Sequence, residues 1–122
     1  MAHAVTIYGI ANCDTIKKAK QWLTGHKLEF CFHDYRQQGL DPALLQQWID
    51  ELGWQTLINK RGTTWRRLAD ETKNAIDKET AVALMLDNPA IIKRPILVKD
   101  GECHIGFSDA AYRKIFRMTP AE

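Results

Sequence analysis

The stretch YGIANCDTIKKAKQWLTGHK, residues 8–27, sets a cysteine between a short apolar run and a lysine-rich segment. Ile16, Ala19 and Leu23 recur at helical spacing, with Lys17, Lys18 and Lys20 mostly on the other side. Gly25 supplies a stop, so a helix is expected over 14–24. Upstream, AVTIY (4–8) is short and β-branched; downstream, LEFCFHDY (28–35) alternates, so each predicts a strand. A β-α-β unit is therefore complete within the first 35 residues.

The chain changes character after it. In GLDPALLQQWIDELGW, Asp41 can cap a helix, Pro42 suits its first position and Gly53 ends it, with Leu44, Leu45, Trp48, Ile49 and Leu52 forming the apolar face. A second helix is expected from Lys78 to Leu86, capped by Asp77 and stopped by Asn88 and Pro89, with looser turns between Trp65 and Ala75. Then PILVKDGECHIGF reads as two strands joined at Asp100-Gly101, a strong hairpin signal, and a last helix runs from Ser108 to about Arg117. The ends read β-α-β and β-β-α. Together they predict an α/β, thioredoxin-like fold with a four-stranded mixed sheet and a helical insertion over about 40–91. Splitting 122 residues at the composition shift would leave pieces too small to bury much core, so one domain over 1–122 is expected.

Composition narrows the function classes. Seventeen basic against fifteen acidic residues give a net charge of +2, too balanced to announce a nucleic-acid partner, and no long basic block appears. The arginines of RGTTWRR (61–67) fit a solvated helix start with Trp65 turned inward. The opening MAHAVTIYGIA has no positive leader and only a short apolar run, so neither a secretory signal nor a membrane span is expected. That points to the cytoplasm, where the three cysteines, Cys13, Cys31 and Cys103, stay reduced. CFH (31–33) and CH (103–104) lack zinc-site spacing, so no metal is expected.

A thiol in the turn before a helix faces orphan backbone N–H groups that favour an anion. With Lys17, Lys18 and Lys20 adding positive field, the Cys13 pKa can fall from about 8.5 into the range of roughly 3.5–7.5 found for activated thiols. Cys13 then becomes a nucleophile at neutral pH. Position 16 is isoleucine, so CDTI holds no two-cysteine redox motif. Oxidised Cys13 must be resolved by an external thiol, or by Cys31 or Cys103, and the strand and hairpin settings of those two suit buried packing thiols better. Asn12, beside it, either serves the turn or donates to a bound anion.

YGIANCDTIKKAKQWL, GTTWRRL (62–68) and IIKRPILV (91–98), in this order, resemble the arsenate reductase (ArsC)/Spx family, and within it the YffB-like branch. The resemblance implies a thioredoxin-like fold with a helical insertion, a nucleophile at Cys13, and glutathione or glutaredoxin as electron source; thiol chemistry of this kind needs no bound cofactor. It makes Arg94 the anion-binding arginine, a role to which a planar guanidinium is suited. Pro95 matches the proline that such folds hold in cis opposite the nucleophile. Arg61 stands near a second family arginine, in a register that also allows Asn59. A third has no counterpart: HIGFSD carries Gly106-Phe107 there. The expected function is therefore a glutathione-linked thiol oxidoreductase acting on a disulfide, a mixed disulfide or arsenate. The rival implied by the Spx branch is a non-catalytic regulator that binds RNA polymerase; its usual CxxC is missing here.

Overall fold

The computed structural model describes residues 5–118, so residue 4 of the expected first strand lies outside the described residues. Strand β1 (Val5–Gly9) leads into helix α1 (Asp14–Gly25) and strand β2 (Cys31–Asp34). The insertion contains α2 (Pro42–Leu52), α3 (Trp54–Leu57), α4 (Thr63–Arg66), α5 (Asp70–Asn74) and α6 (Lys78–Asp87), followed by a 3-10 turn over Pro89–Ile91. Strands β3 (Ile96–Lys99) and β4 (Glu102–Ile105) and helix α7 (Asp109–Ile115) follow. The sheet order is β2-β1-β3-β4, with β1 parallel to β2 and antiparallel to β3, and β3 antiparallel to β4. This is the thioredoxin-like mixed sheet with a helical insertion.

Alternation along the inner strands divides the helices between two faces. Val5, Ile7 and Leu97 pack with Ala19 and Leu23 of α1 and Tyr112 of α7. On the other face, Ile96 packs with Leu45, Trp48 and Ile49 of α2 and Ala81 and Met85 of α6. Trp48 is wholly buried, so the apolar stripe of α2 is core.

The local signals explain most element ends. The Asp41 carboxylate accepts from the Ala43 N–H at 3.0 Å, and Asp77 with Thr80 closes a reciprocal capping box. Asp100 and Gly101 both have positive φ, 50° and 83°, as a two-residue hairpin turn requires. Two expectations change. The second strand covers only Cys31–Asp34 of the expected 28–35. Helix α1 includes Gly25, and the left-handed residue that turns the chain is Lys27, at φ 59°. The short α3 had no capping residue to announce it, because it begins directly at Gly53, where α2 stops.

Gly9 fixes the junction of β1 with α1. A Cβ there would collide with Cδ1 of Ile16 and lie 2.9 Å from its Cγ1, and Ile16 is fully buried. The first turn of α1 therefore rests directly on the strand backbone. Gly9→Ala should lower stability by about 1–3 kcal/mol, the usual cost of overpacking, in a denaturant titration. A single unfolding transition seen equally by fluorescence and circular dichroism is expected for both proteins, since the insertion and the sheet share one buried face.

Candidate active site

Cys13 is the N-cap of α1, with extended backbone at φ −146° and ψ 126°. Its carbonyl accepts the first helical hydrogen bond, from the Lys17 N–H at 3.0 Å. Serine or aspartate in this place would accept from the second or third helical N–H. The neutral thiol completes no cap hydrogen bond, so the vacant role suits the thiolate.

Burial pushes the Cys13 thiol up, but opposing interactions outweigh it. These are the Ile16 N–H, the hydrogen bond and charge of Arg94, and the Thr15 N–H, and together they hold the pKa below the ordinary thiol value. The helix lysines contribute otherwise than expected. Lys17 and Lys18 are exposed, and Lys20 Nζ sits 4.4 Å from the centre of the Phe32 ring. The activating groups are backbone N–H donors and Arg94.

Arg94 arrives from the loop before β3, ahead of a cis peptide to Pro95. Its Nη1 donates to the carbonyls of Ala90 at 2.8 Å and Ile92 at 3.4 Å. Burial alone would lower the Arg94 pKa; the partnership with Cys13 and Tyr35 more than offsets this, so the guanidinium stays charged. Pro95 is buried, and its carbonyl accepts from the Gly106 N–H at 2.8 Å, which ties the loop to the end of β4.

Cys13 and Arg94 line a cleft of about 640 Å³ whose far wall is the segment after α3. That segment is stitched to the Arg94 loop: the Asn59 N–H donates to the Ile91 carbonyl at 2.8 Å, the Lys93 N–H to the Leu57 carbonyl at 2.7 Å, and Ile58 bridges Ile92. Lys60, Arg61, Lys93 and Arg94 give the cleft four cations, and no lining residue is acidic. Asn59 and Arg61 both line it, so the two registers weighed for the second arginine meet at one site. Asn12 is exposed and is not among the lining residues. Gly106 is in the wall at φ 85°, where an added Cβ meets open space.

Asp34 carried no sequence signal beyond its place at a strand end, yet it is buried at 6% exposure. Its Oδ2 accepts from the Ala11 N–H at 3.1 Å, and its Oδ1 from the N–H groups of Arg36 at 2.9 Å and Gln37 at 3.3 Å. One carboxylate thus fastens the loop that carries Cys13 to the turn after β2.

The other two thiols differ from expectation and from each other. Cys103 is buried, as expected of a packing thiol; its Sγ–H donates to Glu51 Oε2 at 3.1 Å, and burial first, then Glu51, pushes its pKa up to about 12. Cys31 was expected to be buried and is exposed, because β2 is an edge strand. Cys31, Thr6, Val98 and Cys103 form one row across the sheet. Three strand spacings of about 4.8 Å separate the end cysteines by roughly 14 Å, twice the Cα reach of about 7 Å for a disulfide. The row lies three residues, roughly 10 Å, down the sheet from Gly9, so Cys13 is distant from both.

Among the described residues no three His, Cys, Asp or Glu side chains are grouped as a metal site, and no helix is long and apolar enough to cross a membrane.

The sequence matches the ArsC family over residues 8–115. The chain belongs to the ArsC family. It is 49% identical over 112 residues to an uncharacterized protein of Haemophilus influenzae, a match covering 92% of this chain and 98% of the other. It is 26% identical over 117 residues to the global transcriptional regulator Spx 2 of Lactococcus lactis, covering 94% and 88%. Among solved structures it is similar to a YffB protein, with 44% identity, TM-score 0.85 and coverage of 90% and 96%. An arsenate reductase related protein of Brucella melitensis gives 42% identity, TM-score 0.78 and coverage of 97% of each chain.

The three environments predict a labelling order. With a maleimide or iodoacetamide at neutral pH, Cys13 and Cys31 should react in the folded protein and Cys103 only after unfolding. Because a lowered pKa keeps the thiolate populated as pH falls, Cys13 reactivity should persist below about pH 8.5, the free-thiol value, and fade only below its own pKa. Mass spectrometry of peptides labelled across a pH series checks both; a Cys13 midpoint at or above the free-thiol value contradicts the activation.

Proposed function

We propose that this chain is a glutathione-linked thiol oxidoreductase in which Cys13 is the sole redox-active thiol. The observation that supports it is Cys13 at a helix N-cap, beside Arg94, in a cationic cleft that neither of the other thiols approaches. The Cys13 thiolate attacks one sulfur of a mixed disulfide with glutathione; a new S–S bond forms to Cys13, the old one breaks, and the second sulfur leaves as a thiolate. Arg94 and the N–H groups of Thr15 and Ile16 stabilise sulfur anions along the way. A glutathione thiolate, or glutaredoxin, then attacks the glutathione sulfur held on Cys13, which releases Cys13 as thiolate and carries the oxidation off as a disulfide. Asn12 is the weakest member of the site; Arg61 and the cis loop at Pro95 shape its anion-facing wall.

Disulfide fits better than arsenate, because the wall offers a backbone turn at Gly106 where the arsenate-reducing pattern carries an arginine. Against the regulator reading stands Ile16, fully buried against Gly9, so that the place of a second switch cysteine is core. The cytoplasm, with its reduced glutathione pool, is the compartment this chemistry requires.

Incubation of Cys31→Ser protein with oxidised glutathione should add one glutathione, at Cys13. Since that disulfide carries several carboxylates and the cleft four cations, the rate should fall as salt is raised, while the uncharged hydroxyethyl disulfide should show much weaker dependence. A coupled NADPH assay with glutathione and glutaredoxin should turn over glutathionylated protein faster than arsenate. An internal disulfide involving Cys13 in the wild type, or faster arsenate turnover, would refute the respective part.

A further inference from the structure

Tyr35 stands immediately after β2 and is 1% exposed. Its N–H donates to the Gly9 carbonyl at 3.1 Å, and its ring meets that of Trp48 at 6.2 Å and 60°. These contacts hold the phenol rigidly under the nucleophile loop. Its hydroxyl nevertheless completes no well-formed hydrogen bond, and neither does the buried Nε of Arg94, although the two side chains are close enough to interact as acceptor and donor. Two buried polar atoms left open at one site are uncommon in a folded protein and call for an explanation.

Their surroundings supply it. Burial first raises the Tyr35 pKa, the Arg94 guanidinium draws it back, and the charges of Cys13 and Asp34 raise it, leaving it at about 12. Arg94, Cys13 and Tyr35 therefore form one interacting cluster, with the phenol neutral at physiological pH. Asp34 is near but occupied: both its oxygens accept from backbone N–H groups, and none of the ion pairs among the described residues includes Arg94. On one side of the guanidinium, Nη1 is anchored to two carbonyls. The other groups that interact with the guanidinium are Tyr35 and the Cys13 sulfur.

We propose that Tyr35 is a positioning residue for Arg94: its hydroxyl accepts from Nε and holds the guanidinium edge on the Cys13 thiolate and on the sulfur anion that leaves it. A neutral acceptor suits this place. A carboxylate there would compete with the thiolate for the same cation, and a phenyl ring would leave Nε bare.

The proposal rests on Cys13 being the reactive thiol, and one experiment separates the two. In a Cys31→Ser background, the alkylation rate of Cys13 is followed against pH in the parent, Tyr35→Phe, Arg94→Ala and the double variant, with melting temperatures and exchange rates with oxidised glutathione. Tyr35→Phe should fold with a nearly unchanged melting temperature, because it keeps the buried ring and its packing on Trp48 and removes a single hydroxyl. Its Cys13 profile should move up by about half a pH unit, roughly a threefold loss of thiolate at pH values below the midpoint, with a matching loss of exchange rate there. In the Arg94→Ala background the same substitution should change nothing further. An ordinary thiol midpoint in the parent defeats the Cys13 reading itself. A lowered parent midpoint with an identical Tyr35→Phe profile leaves that reading standing and overturns the proposal. So does an effect that persists without Arg94, which would place the hydroxyl on the sulfur directly, and so does a Tyr35→Phe protein that cannot fold, which would make the hydroxyl structural.

Discussion

The site depends on a sulfur occupying the N-cap of α1. An oxygen-bearing cap satisfies the first-turn N–H groups in every state of the protein, as Asp41 and Asp77 do for their helices. A thiol satisfies them only when ionised, so the unfilled demand of the helix end becomes a preference for thiolate. That preference has to exceed the penalty of partial burial, and it does so because Arg94 is added to the two backbone donors. The position of the sulfur is set from below: Ile16 lies against the bare backbone of Gly9, and Asp34 fastens the preceding loop.

The helical insertion matters to the chemistry through one seam. Residues 57–59 pair with 91–93, so the first half of the insertion is drawn back beside the Arg94 loop. Lys60 and Arg61 reach the cleft by this route, and Lys93 and Arg94 reach it from the other strand of the seam. Four positive charges converge although the whole chain carries a net charge of only +2. Balanced composition and a strongly cationic site coexist because the seam concentrates one sign of charge.

The same fold gives three cysteines three fates. A helix end and an arginine activate Cys13; the interior and a carboxylate suppress Cys103; an open sheet edge exposes Cys31 without setting either beside it. The strand register that places Cys31 and Cys103 in one row also keeps both down the sheet from the nucleophile. That spacing is what the proposed one-cysteine mechanism with an external partner rests on.

By itself the sequence determined the elements with strong local chemistry. Periodicity and caps marked α1, α2 and α6, the Asp100-Gly101 pair marked the hairpin, and the strand-cysteine-helix order marked Cys13 as the thiol at a helix start, since each depends on residues within a few positions of one another. The motifs around Cys13 and Arg94 were legible as a family resemblance. Tertiary structure decided what depends on distant pairings. Strand order left Cys31 at an edge and exposed, whereas its alternating sequence suited a buried thiol. The source of Cys13 activation moved from the neighbouring lysines, whose side chains project away, to an arginine 81 positions along the chain. Asp34 and Tyr35 looked like nothing more than the end of a strand; they came to lie at the site only because β2 lies parallel to β1 and brings its last residues level with Gly9. Local sequence encodes backbone conformation through short-range sterics and hydrogen bonding, but the field around a thiol is the sum of groups that only the folded chain brings together.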